Sequence, residues 1–581
     1  MTLRPLPFAA ALFITALFIT VLFIAVFLLQ HLVQHWRKFL LQNRHDQAHL
    51  FDVFGGHIMN KKIASIVIVG GGTAGWLTAG RIAAHHRAQD GNLKVTLIES
   101  LNIPTIGVGE GTWPTMRSTL MKLGISETDF IRECDASFKQ GAKFSRWVTG
   151  AADDFYYHPL MLPQGFGKTN MAAHWQAARD LNKNIHSSQT QRSFSAATCF
   201  QEAVCEQGLA PKLITTPEFN SVANYAYHLN AGKFSTFLQK HCCEKLGVQH
   251  VLADVIGVNS ADNGDIASVI TEQAGAIEGD LFIDCSGFQS LLLGQQLQVP
   301  FIDCSDVLFI DSALAVQVPY ESDDAPIASH TISTAQDAGW IWDIGLVHRR
   351  GVGHVYSSQH TSEEQATERL QQYVGSRFNE LTLRKIPIHC GHRKLFWKNN
   401  CVAVGLSAGF LEPLEASAIV LVELSATMIA EQLPACREVM DIVAKRFNET
   451  FLYRWARIID FLKLHYILSK RTDNSFWVDN RDPATIPESL QELMQLWRYQ
   501  PPGDQDFTSN NEVFPAASYQ YVLYGMGFET CYDYSPHLLR DSAFAQEQFT
   551  KNQKNIDQVL RSLPSNRELL SKIHLHGLQT I

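Results

Sequence analysis

The stretch "IASIVIVGGGTAGWLTAGRIAAH", Ile63 to His85, decides the fold. Ile66 to Val69 is a short apolar run rich in β-branched residues, which reads as a buried parallel strand. Gly70-x-Gly72-x-x-Gly75 follows at once and opens an alanine-rich helix. The first glycine permits the tight turn, the second lets backbone approach a pyrophosphate, and the third allows close helix–strand packing. The helix N-terminus then offers N–H groups to phosphate. A second strand, "KVTLIES", ends in Glu99, where an acid can hold ribose hydroxyls. A glycine fingerprint alone is weak, and a glycine turn with no ligand is the bland reading. That reading does not account for Glu99, so dinucleotide binding is predicted.

The chain returns to this pattern much later. "GDLFIDCSGFQS", Gly279 to Ser290, and "NNCVAVGLSAGFLEP", Asn399 to Pro413, are strands running into glycine-containing turns. A nucleotide fold completed over hundreds of residues suits a flavoprotein with a split domain. A nicotinamide dehydrogenase more often completes its unit contiguously. The 581 residues are 46% hydrophobic and 18% charged, enough for two or three domains sharing a core. A net charge of −9 gives no reason to expect a nucleic-acid partner. Eleven cysteines without a C-x-x-C pair argue against a zinc or iron–sulfur site and for reduced thiols in the cytoplasm. Residues 7–30 form an uncharged apolar run long enough to span a bilayer. A membrane tether at residues 7–30 and a mis-called start, with Met59 as the true one, are both consistent with it.

Six motifs in order along the chain carry a resemblance to a known family. They are "GGGTAGW" (Gly70–Trp76), "IGVGEGTWP" (Ile106–Pro114), "ECDASFKQGAKF" (Glu133–Phe144), "GWIWDIGLVHRRGVGHVYSS" (Gly339–Ser358), "FLEPLEASAI" (Phe410–Ile419) and "DFLKLHY" (Asp460–Tyr466). The chain thereby resembles the flavin-dependent tryptophan halogenases, relatives of the flavin monooxygenases. The resemblance implies an α/β fold: a Rossmann-like FAD domain of the monooxygenase type, split by a substrate-side β-sheet, with a C-terminal helical region. The flavin core is expected over residues 59–433, with insertions at about 148–224 and 305–384, preceded by the extension 1–58 and followed by a mainly helical 434–581.

The resemblance also implies FAD used as FADH2, O2, chloride or bromide, and a separate NAD(P)H flavin reductase as partner; a homodimer is compatible with it. Cofactor contacts carry over to Gly70, Gly72, Thr73, Ala74, Gly75, Glu99, Glu110, Val255, Leu406 and Ile419. Lys139 and Glu415 become the catalytic pair, and the backbone at Ser417 and Ala418 the halide site. Small side chains there leave room, and a helix start favours an anion. His158, Trp340 and Trp342 become substrate-side residues.

The chemistry needs such a pair. Reduced flavin and oxygen oxidise halide to hypohalous acid. A lysine can polarise that species or capture it as a haloamine, because burial brings its pKa toward neutrality. Attack by an aromatic ring leaves a cation, which a carboxylate stabilises and deprotonates. Each residue also has a plainer reading. Lys139 with Lys143 suits an exposed helical stripe, and Glu415 and Glu412 suit first-turn helix stabilisation worth about 0.3–1 kcal/mol. Trp340 and Trp342 read equally as an aromatic pair in a sheet, and His158 as a core or surface histidine. "YRWARIIDFLKLHYIL" reads as a structural helix.

Gly345 stands where the family's W-x-W-x-I-P segment has proline, which leaves direct oxygenation by a flavin monooxygenase as the alternative activity. A flavin-binding scaffold without turnover is a third reading. The resemblance implies a Tyr- and Trp-rich C-terminal insertion in members that act on free tryptophan. The corresponding region here, Asp506–Phe528, is short and has no tryptophan, so the expected substrate is an indole or phenol, small or carried on a peptide or carrier, rather than free tryptophan.

Overall fold

The computed structural model describes residues 62–87, 93–103, 109–183, 192–509 and 512–580. Residues 7–30 and Met59 lie outside them. Among the described residues no helix is long and apolar enough to cross a membrane.

Ser65–Val69 sits inside a six-stranded sheet. It pairs in parallel with Leu281–Asp284 on one side and Lys94–Glu99 on the other. Beyond these lie Cys401–Ala403, then Trp397–Lys398, and at the far edge Gln249–Leu252. Ile66, Val67, Ile68 and Val69 are all buried, as an apolar run covered on both faces must be. The helix Thr73–Arg87 covers the sheet and packs against the helices Ala231–Leu246 and Ser417–Glu431. The parallel strands end together, Val69 beside Asp284 and Asp284 beside Ala403. Their C-terminal edge is where an open α/β sheet binds its ligand.

A second sheet of seven strands runs Arg384–Pro387, Ser312–Pro319, Arg349–Tyr356, Gly339–Gly345, Thr331–Gln336, Gly141–Ser145, Phe155–Pro159. Its neighbours are antiparallel except Thr331–Gln336 and Gly141–Ser145. A separate three-stranded sheet has the order Glu110–Gly111, Ala226–Leu229, Ser137–Lys139. Lys139 and Lys143 therefore lie on strands, not on the helical stripe their spacing allowed. Lys139 is 3% exposed.

A buried ion pair fastens this small sheet. Lys212 Nζ lies 2.8 Å from Glu127 Oε2, and neither side chain is exposed. Tyr225 and Tyr227 donate to Glu127 Oε1 at 2.5 and 2.6 Å, and the Phe219 N–H donates to Oε2 at 2.6 Å. Tyr227 belongs to the strand that pairs with Ser137–Lys139.

The residues after 434 are mainly helical, led by the 31-residue helix Arg437–Ile467. They are not a detached tail: Arg132 donates to the Ile573 carbonyl at 2.9 Å. Ile458 to Tyr466 are buried without interruption, polar Asp460, Lys463 and His465 among them. The stretch read as a structural helix is one, and its second half is enclosed on all sides.

Removing one partner of a buried ion pair strands the other charge. Lys212→Met is expected to destabilise the protein by about 3–5 kcal/mol, read from the denaturant midpoint.

Candidate active site

A cavity of about 530 Å³ opens at the C-terminal edge of the parallel sheet and runs to Lys139 and Glu415. Each of Gly70, Gly72, Thr73, Ala74, Glu99, Glu110, Val255, Leu406 and Ile419 lines it. Gly75 does not; it works behind the wall. A Cβ there would stand 1.9 Å from the Gly70 carbonyl oxygen. Gly70, at φ 120°, is pressed against Cys285 in the same way, a Cβ falling 2.1 Å from its carbonyl. At Gly72 a Cβ would meet nothing within 4 Å. Two glycines are thus required by packing, while the middle one faces open space.

The helix beyond Gly72 has no acid in its first turn, so its N–H groups favour an anion. Glu99 ends its strand at the cavity wall, 2.9 Å from His250 Nε2. Opposite, Asp284 accepts from the N–H groups of Leu292 and Leu293 at 2.9 and 2.8 Å, fixing the turn that carries Ser286 and Gly287 to the cavity. An open glycine cradle, a helix start without an acid in its first turn and an acid on the second strand fit FAD.

At the other end the chain reverses abruptly. Glu415 and Ala416 both adopt left-handed conformations, φ 62° and 55°. Neither is in the following helix, Ser417–Glu431, so Glu415 is not a first-turn acid. The Trp113 indole N–H donates to the Glu415 carbonyl at 2.9 Å. Gly111 lies opposite, where a Cβ would come 3.2 Å from the Ala416 Cβ and 3.4 Å from Lys139 Nζ. Ala416 offers no side-chain cap, so the N–H groups at Ser417 and Ala418 remain available at the cavity wall.

Lys139 Nζ donates to the Thr112 carbonyl at 3.3 Å. Burial brings its pKa down to about 8, and Glu415 pulls it back up. Burial pushes the Glu415 carboxyl upward, but His158, His465 and Lys139 outweigh this and hold it below the usual range. Lys139 and Glu415 line one cavity without forming an ion pair within 4 Å.

His158 does not line that cavity. Its Nδ1 lies 2.8 Å from Glu415 Oε1 and its Nε2 2.9 Å from Ser518 Oγ. Phe461, Phe514 and Tyr521 surround its ring. Trp340 and Trp342 do line the cavity, and the Trp342 ring covers Gly353, where a Cβ would clash at 2.1 Å.

Glu412 is also more than a helix stabiliser. Tyr466 donates to its Oε2 at 2.6 Å and the Trp340 indole N–H lies 3.4 Å from the same atom. Burial pushes its carboxyl up to about 7. It braces the wall tryptophan from behind. Sequence reasoning missed His465 and Tyr466 as site residues. The available signal was a lysine and a histidine inside an apolar helical run.

The family model for tryptophan halogenase matches residues 65–539. A 7-chloro-L-tryptophan 6-halogenase, KtzR, from Kutzneria sp. (strain 744) is 33% identical over 87% of this chain and 99% of its own. The solved tryptophan halogenase of Shewanella frigidimarina NCIMB 400 is 48% identical, with a TM-score of 0.85 over 90% of this chain and 99% of that one. BrvH, a flavin-dependent halogenase from Brevundimonas sp. BAL3, is 33% identical with a TM-score of 0.77, over 88% and 99%.

The three glycines separate packing from binding. Gly75→Ala is expected to lower the melting temperature sharply. Gly72→Ala is expected to leave it within a degree or two, at about 0.5 kcal/mol or less, and to weaken FAD binding measured by fluorescence titration.

Proposed function

The chain belongs to the tryptophan halogenase family, and on that premise we propose how its own residues carry out the reaction. It is a flavin-dependent halogenase of an aromatic substrate, supplied with reduced flavin by a separate reductase. Bound FADH2 with O2 supplies the oxidising equivalents that turn halide into hypohalous acid. The N–H groups at Ser417 and Ala418 hold the halide, and Lys139 receives the hypohalous acid.

The observation that carries this reading is the meeting of Lys139 and Glu415 at one cavity wall. With a pKa of about 8, Lys139 is mainly an ammonium at neutral pH, so it acts as a donor rather than as a free amine. It hydrogen-bonds the oxygen of the hypohalous acid. The ring attacks the halogen, the halogen–oxygen bond breaks with its electron pair passing to oxygen, and the Lys139 proton completes a water molecule. Glu415, ionised, takes the ring proton, and the C–H electron pair restores aromaticity. The sum is aryl C–H plus hypohalous acid giving aryl halide plus water.

We assign the substrate as an indole or phenol ring, free or carried on a larger molecule. The relatives named for tryptophan support an indole, and Trp340 and Trp342 on the cavity wall suit a flat ring. Direct oxygenation is not favoured, because the similar proteins are halogenases. The glycine that raised it leaves the strand intact: Gly345 still pairs with Arg350, and its carbonyl accepts from Ser137 Oγ at 2.5 Å.

Lys139→Ala is expected to abolish halogenated product, read by mass spectrometry with a reductase and either halide, while FAD binding persists. Surviving product would overturn the assignment. The pH profile of kcat in the unaltered protein is expected to fall as pH rises through about 8, where the ammonium is lost. A profile that instead rises there would indicate the free amine as the acting form.

A further inference from the structure

Glu415 presents two carboxylate oxygens, and its histidine neighbours use only one. His158 Nδ1 lies 2.8 Å from Oε1, and His465 Nε2 lies 3.5 Å from that same atom. The two rings arrive from remote elements, the strand Phe155–Pro159 and the helix Arg437–Ile467. Among the described residues Oε2 accepts no hydrogen bond, yet it is not sealed in the interior. The little exposure Glu415 keeps opens into the cavity that Lys139 also lines.

The tautomers are set from behind. The Tyr156 hydroxyl lies 2.6 Å from His465 Nδ1. Burial holds that phenol well above its ordinary range, so it stays protonated and donates. Burial likewise brings His465 down to about 3, against the pull of Glu415, so the ring is neutral. Its own hydrogen therefore sits on Nε2, facing Glu415. At 3.5 Å this contact is electrostatic rather than a full hydrogen bond. His158 Nδ1 also carries its hydrogen, because a carboxylate only accepts.

We propose that His465, backed by Tyr156, joins His158 in a clamp on Oε1 that aims Oε2 at the ring carbon being halogenated. The inference rests on the role of Glu415 as the base. His465 is a positioning residue: it touches neither substrate nor flavin. Oε2 takes the proton from the carbon bearing the new halogen, the C–H bonding pair returns to the ring, and the carboxyl releases its proton to water as product leaves. The titratable groups facing Glu415 are His158, His465, Lys139 and the Tyr156 phenol.

The test uses the full chain with FAD, a flavin reductase, bromide and the indole or phenol that the unaltered protein halogenates best. His465→Leu is expected to lower kcat on the order of tenfold or more while KM holds. It should also raise a primary isotope effect on ring deuteration and shift the acid limb of the kcat profile to higher pH. His465→Gln, whose amide N–H reaches toward Oε1, should restore much of the rate. Halogenation of monochlorodimedone, which reports hypohalous acid itself, should be unchanged. Should His465→Leu fail to fold, Tyr156→Phe removes only the hydroxyl that fixes the tautomer and should move the isotope effect in the same direction. An unaltered isotope effect and pH profile in the folded variant, with Glu415→Gln inactive, would overturn the clamp alone. An active Glu415→Gln would overturn the base role and the clamp together.

Discussion

The site depends on one sharp reversal of the backbone at Glu415 and Ala416. Two successive non-glycine residues in the left-handed region cost on the order of 1–3 kcal/mol each. The surroundings hold them there: the Trp113 indole grips the Glu415 carbonyl, and Gly111 yields the space a side chain would take. Two consequences meet at one point. The carboxylate is turned toward the cavity, and the helix Ser417–Glu431 begins with its first N–H groups uncapped. An acid and an uncapped helix start are thus set side by side, which a smooth entry to the helix would not give.

Opposite that reversal, charge is managed by burial. The small sheet carries Lys139 into the interior, anchored through the pairing of Ala226–Leu229 with Ser137–Lys139 and the ion pair of Glu127 with Lys212. Buried charge is unfavourable unless compensated. Lys139 is compensated only in part, by one carbonyl and by Glu415 across the cavity, so it keeps a proton it can readily share. Glu415 is compensated more fully, and its charge is the steadier of the two. The pair is thus poised in opposite senses, which suits the acid and base roles proposed for it.

How much of this the sequence declared depends on the range of the interaction. The glycine cradle was legible because its cause is local: strand, turn and helix start occupy a dozen consecutive residues. Lys139 was not legible from spacing, since three-residue and five-residue strands broken at Gln140 look like a helical stripe with Lys143. Its pairing with Glu415 came from family resemblance alone. His465 was missed for a related reason. Helical periodicity reports one buried face, whereas Ile458–Tyr466 is buried all round, so spacing gave no sign that its polar residues face inward. Glu412 was misread because a hydrogen bond to Tyr466 depends on elements far apart in the chain.

The 31-residue helix Arg437–Ile467 links the Glu415 carboxylate to the last quarter of the polypeptide. Its buried end supplies the neighbour of Glu415, and Ser518 beyond it supports the other histidine. The nucleotide half therefore cannot be lifted out as a working module, nor exchanged between homologues at a crossover between residues 158 and 465, without joining an imidazole from one parent to a carboxylate from the other. Chimeras that respect this linkage keep both partners from one parent.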